Sequence, residues 1–341
     1  MRINRHDEVI AQDFLSPLDF IGGAFFKCQF NSLDFNHCTF KNVNFIDCHF
    51  KEVDWVNVFF ENCRFKTCEF YFKNSQKIFL ERCHFEACSW KKVDFSFSTL
   101  KHCFFNEQEF IKVNFMGSTV EHCRFIKAGL DHCDFSGADL TRSSFKGAQL
   151  NLCQFKGANL QQVFFNETTL IDYDFKDCNL LRSFWQKCHL TNCHFEGAVN
   201  MIQANFMDAT LKQCVFKQVN LKWTQFINAS ISQCDFENGQ LLQTNWRAAV
   251  IEQVNFSKAF VRAGLFTQAK LKNCFFYQAD LTYAHFGNAL LDSCYFTDSD
   301  CRVANFHNTC DYKSTWLGAN RNNAFATNAP LAAAEHWKIK E

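Results

Sequence analysis

The sequence predicts an all-β solenoid built of four-sided coils. Three observations predict it: an apolar beat at every fifth residue, a small residue two positions before each beat, and prolines confined to the two ends. The beat runs from Phe20 through Phe25, Phe30, Phe35 and Phe40 to Phe195, and of those 36 positions only Ser75 is polar. It then slips by one residue, resumes at Met201, Phe206, Leu211 and Phe216 and continues to Trp316; of these 24 positions only Asp311 is polar. Thirty-two of the 44 Phe fall on it. Neither the 3.6-residue helical period nor the two-residue strand period sustains such a series.

The second site, two residues earlier, holds Cys28, Leu33, Cys38, Val43, Cys48, Val53, Val58, Cys63 and Cys68, and later Ala138, Ala148, Ala158, Ala204, Ala209 and Ala269. Eighteen of the 20 Cys occupy it, Cys301 and Cys310 being the exceptions. Residues i−2 and i point the same way on an extended backbone. Each five-residue unit is therefore a short strand plus a corner, sending one large and one small side chain inward.

The number of sides follows from a ten-residue alternation. From Phe125 the beat reads Phe, Leu, Phe, Leu up to Phe195, with Trp185 in one Phe place, and Phe206, Leu211, Phe216, Leu221 keep the order. Like stacks on like only if a turn holds an even number of units, and two units cannot enclose a core. The coil is thus a square of about 20 residues, and with strands ~4.8 Å apart about 15 coils would make a rod on the order of 70 Å long. The step from Phe195 to Met201 adds one residue without skipping a face and reads as a bulge at a corner, through which the rod is expected to continue.

The only two prolines, Pro17 and Pro330, lie just outside the repeat, as expected where no interior position can give up a ladder N–H. An open solenoid end is a strand edge that needs covering. Residues 1–19 read as an N-terminal cap, 20–316 as the solenoid with its phase slip at 196–201, and 317–341 as a C-terminal cap. Within the last, Asn328 followed by Ala329, Pro330 and Leu331 to Trp337 reads as a capped short helix that seals the last coil or joins two copies.

The units Ser136-Gly137-Ala138-Asp139-Leu140, Lys146-Gly147-Ala148-Gln149-Leu150 and Lys156-Gly157-Ala158-Asn159-Leu160 resemble the A(D/N)Lxx units of pentapeptide-repeat proteins, with a C-x-F variant in the first half. The resemblance spans about residues 20–316. It implies a right-handed quadrilateral β-helix, in agreement with the side count.

Composition narrows the function. With 35 Lys+Arg against 35 Asp+Glu the net charge is zero, which argues against an electrostatic nucleic-acid binder. The first 20 residues hold no apolar run of signal-peptide length and no window of 18 apolar residues follows, so a cytoplasmic protein is expected. Neighbouring Cys at the inner site are separated by multiples of five, or by 21 across the slip, and no C-x-x-C occurs, so the thiols read as small hydrophobes suited to a reducing compartment rather than as disulfides or metal ligands. The His-Cys pairs at 37–38, 102–103, 122–123 and 132–133 cannot share an ion, because adjacent residues of a strand face opposite ways. No nucleophile-elbow, P-loop or zinc-helix motif is present, and a filled prism offers no concave pocket; no catalytic residue, cofactor or metal is expected.

Function is therefore sought on the outer walls, read every 20 residues. One column holds Asp34, Asp54, Asn74, Asp94, Asn114, Asp134, Gln154 and Asp174. It reads first as Asp and Asn bonding nearby backbone and second as mimicry of phosphates. A second column, Arg82, His102, His122, Arg142 and Arg182, makes the surface a mosaic of signs, so direct nucleic-acid binding is not expected. A third carries Phe104, Phe164 and Phe184, preceded by Arg64, His84 and Arg124; outward aromatics mark it as a candidate interface, with Phe164 and Phe184 expected to stack. Phe59, Phe72, Phe79 and Phe97 read as scattered exposures.

The stretch from Cys68 to Lys77, which breaks the repeat at Lys73 and Ser75, is similar to the first-loop region of quinolone-resistance (Qnr-type) pentapeptide-repeat proteins. Here Phe70 to Leu80 keeps the five-residue phase, which argues against a protruding loop. That resemblance implies a protein partner, DNA gyrase or topoisomerase IV. The reading from the residues is a non-enzymatic solenoid that binds a protein through its flat faces; the alternative is a structural scaffold or targeting module, including a host-directed effector.

Overall fold

The computed structural model describes residues 3–10 and 18–335, Ile3 and Lys73 by their backbone only. The chain divides into two units, Met1–Thr168 with Asp177–Asn179, and Thr169–Lys176 with Leu180–Glu341. Each is a parallel, quadrilateral β-solenoid.

In the first unit the Phe20, Phe25, Phe30 and Phe35 columns define the first to fourth faces. Phe20 pairs with Phe40, and Phe40 with Phe60, at an offset of 20 residues. Asp19–Phe26 and Thr39–Ile46 cross a corner as eight-residue strands, so one nine-stranded sheet wraps the first two faces. The third face is an eight-stranded sheet, and the fourth is held by single bridges such as Asp34 with Asp54 and Asp134 with Gln154. Ile3–His6 lies beside Gly23–Phe26 and Val9–Ile10 beside Gln29–Phe30, so strands at the same offset precede Phe20. Pro17 lies outside the described residues.

The second unit carries a third-face sheet from Thr169–Ile171 to Cys310–Tyr312. Its offset is 20 except across the phase slip, where Leu190 pairs with Leu211. Every column keeps its face, and the added residue sits near Val199, 69% exposed, two residues beyond Gly197 at φ +80°. The described residues end in a helix, α1 (Ala329–Glu335). Asn328 Oδ1 caps it by accepting the Leu331 N–H at 3.1 Å, with Pro330 in its first turn. Trp337 lies outside the described residues.

The interior is the beat. In the first coil Phe25 meets Phe30 edge-on at 5.2 Å and Phe30 meets Phe35 at 5.7 Å, while each ring stacks on its counterpart one coil away, Phe30 on Phe50 at 4.6 Å and 4°. Offset stacks along the axis and edge contacts around it are the arrangements that aromatic quadrupoles favour. Where Leu enters, Phe holds the second and fourth faces: Phe226 meets Phe236 at 87° and Phe216 stacks on Phe236 at 4.7 Å. Ser75 is buried at a beat position, where its hydroxyl donates to the Asp94 carbonyl at 2.9 Å. The space it leaves is filled by Phe72, whose ring lies 4.5 Å from Trp55. Phe72 is thus an inner residue, contrary to its sequence reading as a scattered exposure; the strand Glu69–Asn74 shifts register between Lys51 and Asp54 to turn it in.

Thiols suit the inner site because they are small and donate weakly. Cys48 Sγ lies 3.3 Å from the Phe25 carbonyl and Cys63 Sγ 3.3 Å from that of Phe40, the beat residue 23 positions earlier. Ser143 and Thr224 make the same bond to Val120 and Met201. Burial first, then the neighbouring thiol, holds Cys83 and Cys103 well above the ordinary thiol range. All 20 cysteines are free and Cys310 alone is exposed. Titration of the native protein with an aromatic disulfide reagent should therefore release one thiol rapidly and the other nineteen only in denaturant; rapid release of several would contradict this packing.

Tryptophan on the beat shows what the inner site must supply. Trp185 Nε1 donates to Ser183 Oγ at 2.7 Å and Trp246 Nε1 to Thr244 Oγ1 at 2.8 Å, each two residues back. Trp55 and Trp90, preceded there by Val53 and Cys88, leave their buried Nε1 without a partner among the described residues. Val53→Thr should stabilise the chain by about 1 kcal/mol by satisfying the Trp55 indole. Val163→Thr, ahead of Phe165, meets no indole and should give no such gain, its hydroxyl donating to a backbone carbonyl as those of Ser143 and Thr224 do. Thermal melts of the two variants in parallel check the difference.

Candidate functional site

Nearly every corner places one residue, two after the beat, in the left-handed region: Arg82 at φ +52°, His102 and His122 at +54°, Arg142 at +59°. Its N–H reaches the next coil, as His102 does to the Glu121 carbonyl at 3.1 Å, and its side chain is turned outward. The residue before each beat stands in the middle of a wall. These two positions, with the residue just after each beat, generate the outward columns.

On the second face of the first unit Arg64, His84, Phe104, Arg124, Ser144 and Phe164 follow one another by parallel bridges. His84 stacks on Phe104 at 4.1 Å and 16°, and the Arg124 guanidinium lies over the other side of that ring at 5.0 Å. Phe104 is therefore half-buried between an imidazole and a cation, while Phe164 is 36% exposed. Arg64 donates to Glu86 at 2.6 Å. Burial, with Arg64 beside it, holds His84 below the usual imidazole range. Phe184, half-buried, belongs to the second unit, where it bridges to Asn205.

The neighbouring corner column is Arg82, His102, His122 and Arg142. The two imidazoles stack at 4.8 Å, and burial, with His102 and Arg142 alongside, lowers His122. Arg82 bonds Glu61 and Glu81 at 2.5 and 2.8 Å.

The acidic ladder has local partners. Asp34, Asp94 and Asp134 on the fourth face, and Asp174 in the second unit, each accept the backbone N–H two residues on, at 2.8 to 2.9 Å, from Asn36, Ser96, Ser136 and Lys176. Asp54 accepts from the Asn74 amide, and Asp94 also accepts from Asn114 at 3.0 Å and Gln76 at 2.8 Å. These are Asx turns that close the corners. Asp94→Ala should cost about 1 kcal/mol and Asp94→Asn well under half of that, since an amide oxygen serves the turn as well as a carboxylate does. Equal losses in denaturant titrations would show that charge rather than the turn bond matters.

Sequence reading passed over the outward aromatics of the second unit. Phe275 and Tyr295, both more than 40% exposed, stack at 5.1 Å and 7° on the fourth face, and Arg262 lies over Tyr283 at 5.1 Å. Extending the 20-residue columns past the slip would have found them. Surface recesses are shallow, one of about 560 Å³ being lined by His49, Lys51, Glu69, Tyr71, Ser89 and Lys91. Among the described residues no group of three or more His, Cys, Asp or Glu is arranged to hold a metal, and no helix is long and apolar enough to cross a membrane.

Family models agree with this architecture: one for a pentapeptide repeat region matches residues 128–199 and 188–261, and one for eight-copy pentapeptide repeats matches 28–66 and 265–298. The chain belongs to the pentapeptide repeat family. Similar solved structures of pentapeptide repeat proteins include HetL of the cyanobacterium Nostoc sp. strain PCC 7120, involved in heterocyst differentiation regulation. It is 20% identical, covering 74% of this chain and 90% of its own, with a TM-score of 0.23. A protein of the Arabidopsis thaliana thylakoid lumen is 23% identical over 25% of this chain and 60% of its own, with a TM-score of 0.25. QnrB1, a plasmid-mediated fluoroquinolone resistance protein, is 17% identical over 68% of this chain and 93% of its own, with a TM-score of 0.20. None of the curated proteins matches the chain.

Proposed function

We propose that this pentapeptide repeat protein is a non-catalytic, cytoplasmic solenoid that binds a partner protein through its outer walls, with a bacterial type II topoisomerase, DNA gyrase or topoisomerase IV, as the specific partner. The observation that carries the binding role is the second-face column in which Arg64, His84, Phe104 and Arg124 stand outward above a filled interior. Inward chemistry is used up in packing, so recognition falls to such columns. The topoisomerase rests on the Qnr-type resemblance of Cys68 to Lys77. In the structure Glu69–Asn74 of that stretch form a strand, with Tyr71 62% exposed.

A second copy is the partner proposed for the C-terminal segment. None of the α1 residues is buried, and α1 is tied to the last coil through Glu335, which accepts from Asn308 at 2.9 Å and faces His307 at 3.3 Å. The last strand, Cys310–Tyr312, is exposed throughout. The alternative to the topoisomerase is a scaffold or targeting module.

Supercoiling by gyrase and decatenation by topoisomerase IV, each with and without the protein, separate these readings. A dose-dependent change that weakens with Phe164→Ser plus Phe184→Ser, at unchanged melting temperature, is the expected result. No change at micromolar protein removes the topoisomerase and leaves the scaffold.

A further inference from the structure

We infer that the edge between the first and second faces of the first unit, over residues 61–146, is a docking strip for an acidic α-helix of a partner protein, laid along the stack of coils. The inference rests on the partner-binding reading and names the chemistry of the partner.

Two adjacent outward columns make the strip: Arg82, His102, His122 and Arg142 at the corner, and Arg64, His84, Phe104 and Arg124 on the wall. Neither contains a carboxylate. Carboxylates stand on its borders instead, Glu61, Glu81 and Glu121 on the first-face side and Glu86 and Glu107 on the other. Arg64 and Arg82 are engaged by that border, as is Lys101, whose Nζ is 3.0 Å from Glu121. Arg124 and Arg142 are exposed and make no ion pair among the described residues; Arg124 lies over Phe104 and Arg142 bonds Gln162 at 2.6 Å. Half-buried Phe104 and Ile126 give the strip an apolar seat.

Geometry selects the occupant. Rungs recur every ~4.8 Å and helix turns every ~5.4 Å, so acidic residues at i, i+3/i+4 and i+7 stay within reach of the long arginines over four rungs. Same-face residues of an extended strand recur at ~6.7 Å and lose step by the third rung. The borders are five residues apart, at most about 17 Å of extended chain, room for a helix ~10–12 Å wide. A nucleic-acid duplex, charged on both strands, would set phosphates over Glu81, Glu121, Glu86 and Glu107 as well.

The strip also carries a pH dependence of definite sign. His122 faces His102, Arg142, Lys101 and Glu121, and His84 faces Arg64, and both imidazoles are held below their ordinary range. Carboxylates of an incoming helix favour the imidazolium. The bound state thus takes up protons, and affinity rises as pH falls from 7.5 towards 6.

Fluorescence anisotropy of the full chain tests this with a labelled helical peptide carrying Glu at i, i+4, i+7 and i+11, the same composition with the periodicity scrambled, and a 20-base-pair duplex. The patterned peptide should bind about threefold or more tightly at pH 6.0 than at 7.5. Arg124→Glu with Arg142→Glu should weaken it about tenfold or more, and Arg124→Gln with Arg142→Gln less, at unchanged melting temperature. His84, His102 and His122→Gln should flatten the pH dependence. Equal binding of patterned and scrambled peptides, insensitivity to the arginine variants, or preferential binding of the duplex overturns the inference. Peptide binding with silent topoisomerase assays keeps the strip and removes that partner; the reverse result removes the strip alone.

Discussion

Within each unit, strand after strand lies beside its counterpart 20 positions away, or 21 across the slip, and the rest of the structure depends on that repetition. Each column must be compatible with itself at one rung spacing. Inside, planar rings meet the demand by stacking; Phe296 and Trp316 do so at 4.0 Å and 2°. Outside, a column of like charges repels itself, and opposite signs meet at several rungs: Lys41 pairs with Glu61 and Lys101 with Glu121. The basic strip along the second face departs from this rule, which is why it stands out as a place for a partner's charges.

The same repetition explains how so many non-glycine residues hold a positive φ. A residue such as Val303 at +59° or Trp223 at +61° sits where an L side chain loses roughly 1–2 kcal/mol. Trp223 donates its N–H to the Leu242 carbonyl and Val303 to that of Asn322, and the corner sets the flat walls between which the beat is buried. Ordering costs are met by neighbour-to-neighbour packing, coil by coil, with no single centre on which the fold rests.

Much of this was legible in the sequence because the repeat writes interior positions as letters. Phe at the beat and Cys, Ala or Val two residues earlier fix inward and outward directions, and the slip at 196–201 could be placed because all four later columns move by one residue together. The reading failed where one position borrows from another. Ser75 looks like a gap in the beat, and only in the folded chain is Phe72 turned in against Trp55 to fill it. The acidic ladder and the Phe104 column were both visible as letters at 20-residue spacing. Which of them is committed locally depends on hydrogen bonds and stacking that spacing does not encode: Asp94 and Asp134 close turns, and Phe104 lies between His84 and Arg124.

The single residue gained near Val199 shows how such a molecule tolerates change in length. One extra amino acid swells a corner and leaves each wall facing as before. Removing a whole five-residue unit would preserve the periodic pattern yet rotate everything downstream by a quarter turn, carrying each surface feature to the adjacent side. Whole units can thus be gained or lost without re-aiming the binding groups only four at a time, twenty residues per step, whereas a bulge at a corner adds length and turns no face.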